Sequence, residues 1–156
     1  MKMFILAIMT VLVLAVACGG VATPEQVVKK LFDALKNSDG DSIAACMSEE
    51  ALEGVSENLE EMKKDPVECV AFFAAMNIEI SRDDVQNITA GDLISVILES
   101  EVFTTEMSDL NSIETGETTI HGDNAIVLVI IEGYEKEFEL VLENGYWKID
   151  DGLGFL

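Results

Sequence analysis

The chain has 156 residues and a mass of 17.0 kDa, room for one domain of ordinary size and little more. Hydrophobic residues make up 49% and charged residues 25%, which excludes a compositionally disordered chain. Asp and Glu number 30 against 9 Lys and Arg, a formal charge of -21, which excludes nucleic acid as a partner because phosphate binding needs a basic footprint. An anionic membrane surface would repel such a chain. The mean hydropathy of +0.30 sits oddly with so much charge, so the apolar residues must be concentrated.

They are concentrated at the N-terminus. Lys2 is followed by an apolar run from Met3 to Ala17, interrupted by Thr10 alone, and then by Cys18-Gly19-Gly20. The run is 15 residues long, in the range of a signal-peptide core and short for ~30 Å of hydrocarbon. A short apolar run, a small residue and then Cys resembles the signal peptide of bacterial lipoproteins. That resemblance implies removal of residues 1–17 and lipid on the Cys18 thiol. Leu14 stands four places before the Cys, where the usual pattern has Leu three before. Two alternatives stay open: cleavage after Ala15-Val16-Ala17 to release a soluble secreted protein, and an uncleaved anchor extending through Ala22. All three place the rest of the chain outside the cytoplasm. Loss of residues 1–17 would leave 139 residues of charge -22. Each buried lipid CH₂ contributes ~0.8 kcal/mol, enough over two or three chains to outweigh surface repulsion. The tether Gly19–Thr23 reaches at most ~18 Å, so the domain would sit close to the bilayer. Gly19 after the Cys, instead of Asp, favours an outer-membrane or surface destination.

The remainder reads as helices first and strands afterwards. Thr23-Pro24-Glu25-Gln26 combines a cap, a proline at the first helical position and a capping box. Val27, Val28, Leu31, Phe32 and Leu35 then form one apolar stripe, ended by Asn37-Ser38-Asp39-Gly40. A short helix is predicted over Asp41–Met47. Ser48 caps a third, with Glu49 and Glu50 at its positive end and Lys63 and Lys64 at its negative end. Leu52, Val55, Leu59 and Met62 form its predicted core face. Asp65-Pro66 opens a fourth helix carrying Cys69, Val70, Phe72, Phe73 and Met76. Ser81 with Asp84 and Thr89 with Asp92 are further capping boxes, predicting helices near Arg82–Asn87 and over Ala90–Phe103.

After Asn111 the texture becomes that of strands. His121-Gly122-Asp123-Asn124 is a turn, and Ala125–Ile131 is an unbroken apolar run. Phe138, Leu140 and Leu142 alternate with polar neighbours, and Glu143-Asn144-Gly145 is a hairpin turn before Tyr146-Trp147-Lys148-Ile149-Asp150. Closely spaced strands and tight turns predict an antiparallel meander. Helices grouped before a sheet predict the α+β class. The seven apolar residues of Ala125–Ile131 predict that both faces of their strand are covered, one by helices and the other by a pocket or a partner subunit.

The opening TPEQVVKKLFDALKNSDGDSIAA, from Thr23, and the closing VLENGYWKIDD, to Asp151, resemble the cone-shaped domain shared by nuclear transport factor 2, ketosteroid isomerase and the SnoaL cyclases. More narrowly they resemble small bacterial lipoproteins with an uncharacterised domain of this fold. The resemblance implies a single cystatin-like cone over residues 24–156, with N-terminal helices folded onto a curved antiparallel sheet. It also implies a cavity between them and a helical insertion at about 66–105. It implies no fixed activity.

Six groups of residues invite chemistry. Cys46 and Cys69 could form a disulfide, closing a 24-residue loop for about 3 kcal/mol; equally they could be buried thiols, which their apolar faces favour. His121, the lone His, is read as a turn residue. Asn37, Asp39 and Asp41 have the spacing of an EF-hand start, but Ser42 and Ser48 stand where Gly and Glu are needed, so no metal site is expected. Glu49, Glu53, Glu57 and Glu60 or Glu61 form a solvated stripe. Asn87-Ile88-Thr89 is a glycosylation sequon by pattern, with Thr89 already used as a cap. Isomerase chemistry of the ketosteroid kind needs an acid, a base and an apolar pocket, and Tyr134 and Tyr146 are the available tyrosines.

These features point to an exported, lipid-anchored cone domain with a non-catalytic role and no cofactor. It would bind a small apolar ligand, or an envelope protein or second copy at the sheet face. The alternatives are an isomerase or dehydratase using the same cavity and a secreted acidic stabiliser.

Overall fold

The computed structural model describes residues 21–100 and 113–151. Cys18, the proposed signal peptide and the end of the predicted Ala90–Phe103 helix lie outside the described residues. Among the described residues six helices precede four strands: α1 (Pro24–Lys36), α2 (Gly40–Cys46), α3 (Glu49–Lys64), α4 (Pro66–Ala75), α5 (Arg82–Asn87), α6 (Ala90–Leu98), then β1 (Ile113–His121), β2 (Asn124–Ile131), β3 (Tyr134–Glu143) and β4 (Tyr146–Asp151). The strands form one antiparallel sheet in the order β1-β2-β3-β4. The chain is therefore α+β.

Local chemistry starts the helices where the side chains predict. Thr23 accepts from the Gln26 N–H while the Gln26 side chain returns to the Thr23 N–H at 2.9 Å. Ser81 with Asp84 and Thr89 with Asp92 form the same reciprocal pair. Hydroxyl and amide donors hold the Asp84 and Asp92 carboxyls below the ordinary carboxylate range. Asp39 caps α2 through the Ser42 N–H at 3.0 Å, one residue earlier than predicted. α6 ends at Leu98, where the Ser100 N–H and hydroxyl both turn back to Ile97 O. The Asn144-Gly145 hairpin has φ of 52° and 83°, the left-handed pair that a two-residue turn matching strand twist requires.

Two apolar clusters hold these elements. In the first, Val28, Leu31, Phe32 and Leu35 of α1 and Ile43 and Cys46 of α2 pack on Val127, Val129, Phe138, Leu140 and Ile149 of the sheet. Phe32 meets Phe138 edge to face at 5.5 Å. In the second, Leu59, Cys69, Phe73, Val85, Ile88 and Leu93 join α3 to α6. α6 belongs to both, since Leu93 faces the helical cluster while Ile94 and Leu98 face the sheet.

Ala125, Val127 and Val129 are buried, but Ile126 is 38% exposed and Leu128 and Ile130 are half-buried. The outer face of β2 is thus not sealed among the described residues; its apolar side chains lie opposite Glu139, Glu137 and Glu135 of β3. Phe72 of α4 is 61% exposed because Cys69 and Phe73 take the inward side of that helix. The Cys46–Cys69 disulfide is not formed: each thiol is buried free, in a different cluster.

Candidate functional site

A groove of about 400 Å³ opens between α3, α6 and β4. Ala51, Gly54 and Val55 form its α3 wall, Leu93, Ile94 and Ile97 its α6 wall, and Met47 with Ile149 its floor. Asn58, Asp150 and Asp151 are its polar residues.

The groove follows from how α3 is pinned. Ser48 is fully buried at the α3 N-cap; its Oγ accepts from the Ala51 N–H at 2.9 Å and donates to Asp150 Oδ1 at 2.6 Å. The Ser48 N–H donates to Ile149 O at 2.8 Å, next to a parallel bridge between Met47 and Ile149. The start of α3 is therefore fixed to β4. Its far end is fixed to the helical cluster by Leu59. Between the two anchors α3 presents small side chains at Ala51 and Gly54, and no described residue fills the space they leave. A Cβ built on Gly54 meets no atom within 4 Å. Glycine in a helix interior costs about 1 kcal/mol relative to Ala, and no close approach explains this one. Val55, expected in the core, is half-buried because it faces the groove.

The volume lies within the ~300–1,000 Å³ of small-molecule sites, and the lining has their character of apolar walls with few polar groups. Asp150 supplies a carboxylate already holding the Ser48 hydroxyl. Among the described residues no His, Cys or Tyr lines the groove. His121 ends β1, exposed. Tyr134 and Tyr146 are 79% and 64% exposed and lie elsewhere. Burial pushes the Cys46 and Cys69 thiols above their ordinary pKa, the state of an inert core thiol.

The remaining sequence candidates separate. Asn37 Nδ2 donates to Asp33 O, Asp39 is a helix cap, and Asp41 lies on the exposed side of α2 near Gly91. No group of three or more His, Cys, Asp or Glu among the described residues could hold a metal ion. Glu49, Glu53, Glu57, Glu60 and Glu61 are exposed, with Lys63 paired to Glu60 at 3.5 Å and Lys64 to Glu61. No helix among the described residues is long and apolar enough to cross a membrane.

Sequence reasoning missed the groove. The one available signal was Gly54, a helix breaker in the middle of an otherwise strong helical pattern.

No family model matches the chain, and no curated protein matches it. Among solved structures it is similar to that of a Campylobacter jejuni protein described as an NTF2-like transpeptidase, at 17% identity and a TM-score of 0.38. The match covers 83% of this chain and 99% of that one. A similarity of that degree carries no inference about activity, and the α+β assignment rests on the elements described above.

Proposed function

We propose that this chain is an exported cone-type domain, related to the nuclear-transport-factor-2-like group and tethered through lipid on Cys18. Its role is binding without chemistry, and its ligand is a small apolar molecule held between α3, α6 and β4. The observation that carries this reading is the unfilled groove beside Gly54, whose apolar walls end at Asn58, Asp150 and Asp151. Its walls would give hydrophobic affinity and its mouth would orient a polar end of the ligand. An isomerase or dehydratase would have to work from Asp150 or Asp151, and Asp150 already accepts from Ser48. That reading is the weaker of the two because Tyr134 and Tyr146 lie away from the groove. A protein partner at the outer sheet face would meet Ile126, Leu128 and Ile130 beside a row of glutamates. That surface suits a cationic partner better than a second, equally acidic copy.

The test is titration with N-phenyl-1-naphthylamine, a neutral apolar dye that brightens when it leaves water. The wild-type protein is expected to enhance its emission saturably, and Gly54→Leu to abolish the enhancement with an unchanged circular dichroism spectrum. No enhancement by the wild type, or equal enhancement by folded Gly54→Leu, contradicts the groove as the site.

A further inference from the structure

A second groove lies at the other end of β4, beside the start of the described chain. Val21, Ala22 and Val27 form one side, with Lys30 beside them, and Tyr146, Trp147 and Lys148 form the other. In a protein with 30 carboxylates, none among the described residues lines it, whereas two of the nine basic residues do. Tyr146 is 64% exposed, Val21 is 52% exposed, and Trp147 is half-buried. Lys148 Nζ donates to Ala45 O in the last turn of α2, which holds its charge at this face. The nearby Glu143 is directed elsewhere: its carboxylate accepts from the Glu49 N–H at 3.1 Å, at the start of α3.

We propose that this groove is the surface by which the domain rests on the lipid bilayer. The inference rests on the reading of Cys18 as the lipid-bearing residue. Val21 is three residues from Cys18, a separation of at most ~11 Å, so the face that carries Val21 cannot stand far from the headgroups. What it offers there is the chemistry of an interfacial anchor. Tyr and Trp place amphipathic rings at headgroup level, and lysines are drawn to lipid phosphates. The rest of the molecule is acidic and would be held away. The groove between α3, α6 and β4 uses Ile149, Asp150 and Asp151 and shares no lining residue with this one.

Trp147 is the single tryptophan of the chain, so its emission reports this face alone. The full-length protein is to be purified with its modification and reconstituted into phosphatidylcholine vesicles whose acyl chains are brominated close to the headgroup. Intact mass and vesicle flotation are measured on the same sample. With an acylated Cys18 and co-flotation, Trp147 is expected to lose most of its emission to the bromolipid. The double variant Lys30→Glu with Tyr146→Asp is expected to float equally well and to keep its emission. Acylated, co-floating wild-type protein with unquenched Trp147 overturns the membrane-facing groove and leaves the anchor intact. A mass without acyl groups overturns the anchor reading and this inference with it.

Discussion

Gly40, at the start of α2, and Gly91, in the first turn of α6, meet backbone against backbone. A Cβ on Gly40 would run into the Gly91 carbonyl oxygen and stand 2.6 Å from Ser95 N. The Gly40 N–H also donates to Ser95 Oγ at 2.9 Å. The contact sets how close α2 and α6 approach, and α6 in turn forms one wall of the groove.

Gly40→Ala is therefore expected to destabilise the protein by about 3 kcal/mol, since a backbone atom cannot step aside. Gly91→Ala should also destabilise but less, because the Asp41 carboxylate its Cβ meets first can swing away, while Asp41 Cα at 2.9 Å forces a smaller backbone shift than the Gly40 contact does. Gly54→Ala should stabilise by ~0.5–1 kcal/mol, as its Cβ meets nothing and helix propensity improves. Urea unfolding of the three variants checks the order. Equal effects at Gly40 and Gly54 would contradict it.

Ser48 is the second structural hinge of the site. Ser48→Ala removes an N-cap, worth ~1 kcal/mol, and strips Asp150 of a buried hydrogen-bond donor, worth ~1–3 kcal/mol. A loss of about 2–3 kcal/mol in urea unfolding is expected, together with weaker dye binding, because α3 loses one of its ties to β4. Ser48→Thr keeps the hydroxyl and should retain more of both.

Cys46 and Cys69 give a test in alkali and in thiol chemistry. Burial raises both pKa values above the ordinary 9.0. A thiol whose folded pKa is raised contributes stability that is present below 9.0 and lost as pH rises through the folded pKa. Melting temperature should accordingly fall above pH 9, and Cys46→Ala with Cys69→Ala should flatten that part of the profile. At pH 8 the folded protein should react slowly with a thiol reagent at both positions, and quickly once unfolded. Fast reaction in the native state would contradict the burial described here.

Much of the architecture was legible from local chemistry. Caps at Thr23, Ser48, Ser81 and Thr89 act within four residues, and the Asn144-Gly145 turn within two, so their residue types suffice to place them. The long-range contacts were not legible. Gly40 reads as a helix stop in sequence and serves as a crossing point only because α6 brings Gly91 to it. Val55 and Phe72 fit helical stripes, yet the stripe cannot show which helix has a neighbour; Val55 faces a groove and Phe72 faces solvent. The Ala125–Ile131 run implied two covered faces; the described residues bury Ala125, Val127 and Val129 on one, and glutamates flank Ile126, Leu128 and Ile130 on the other. Cys46 and Cys69 lie on adjacent stretches of chain but in separate clusters, a division that apolar spacing does not reveal.

The account turns on Cys18, which would place the protein at a membrane and orient the Tyr146 and Trp147 face. Intact-mass analysis of the exported protein tests it most directly. The account predicts a chain that begins at Cys18 and carries the added mass of acyl groups. A chain that begins at Cys18 without acyl mass, or that keeps residues 1–17, would contradict it.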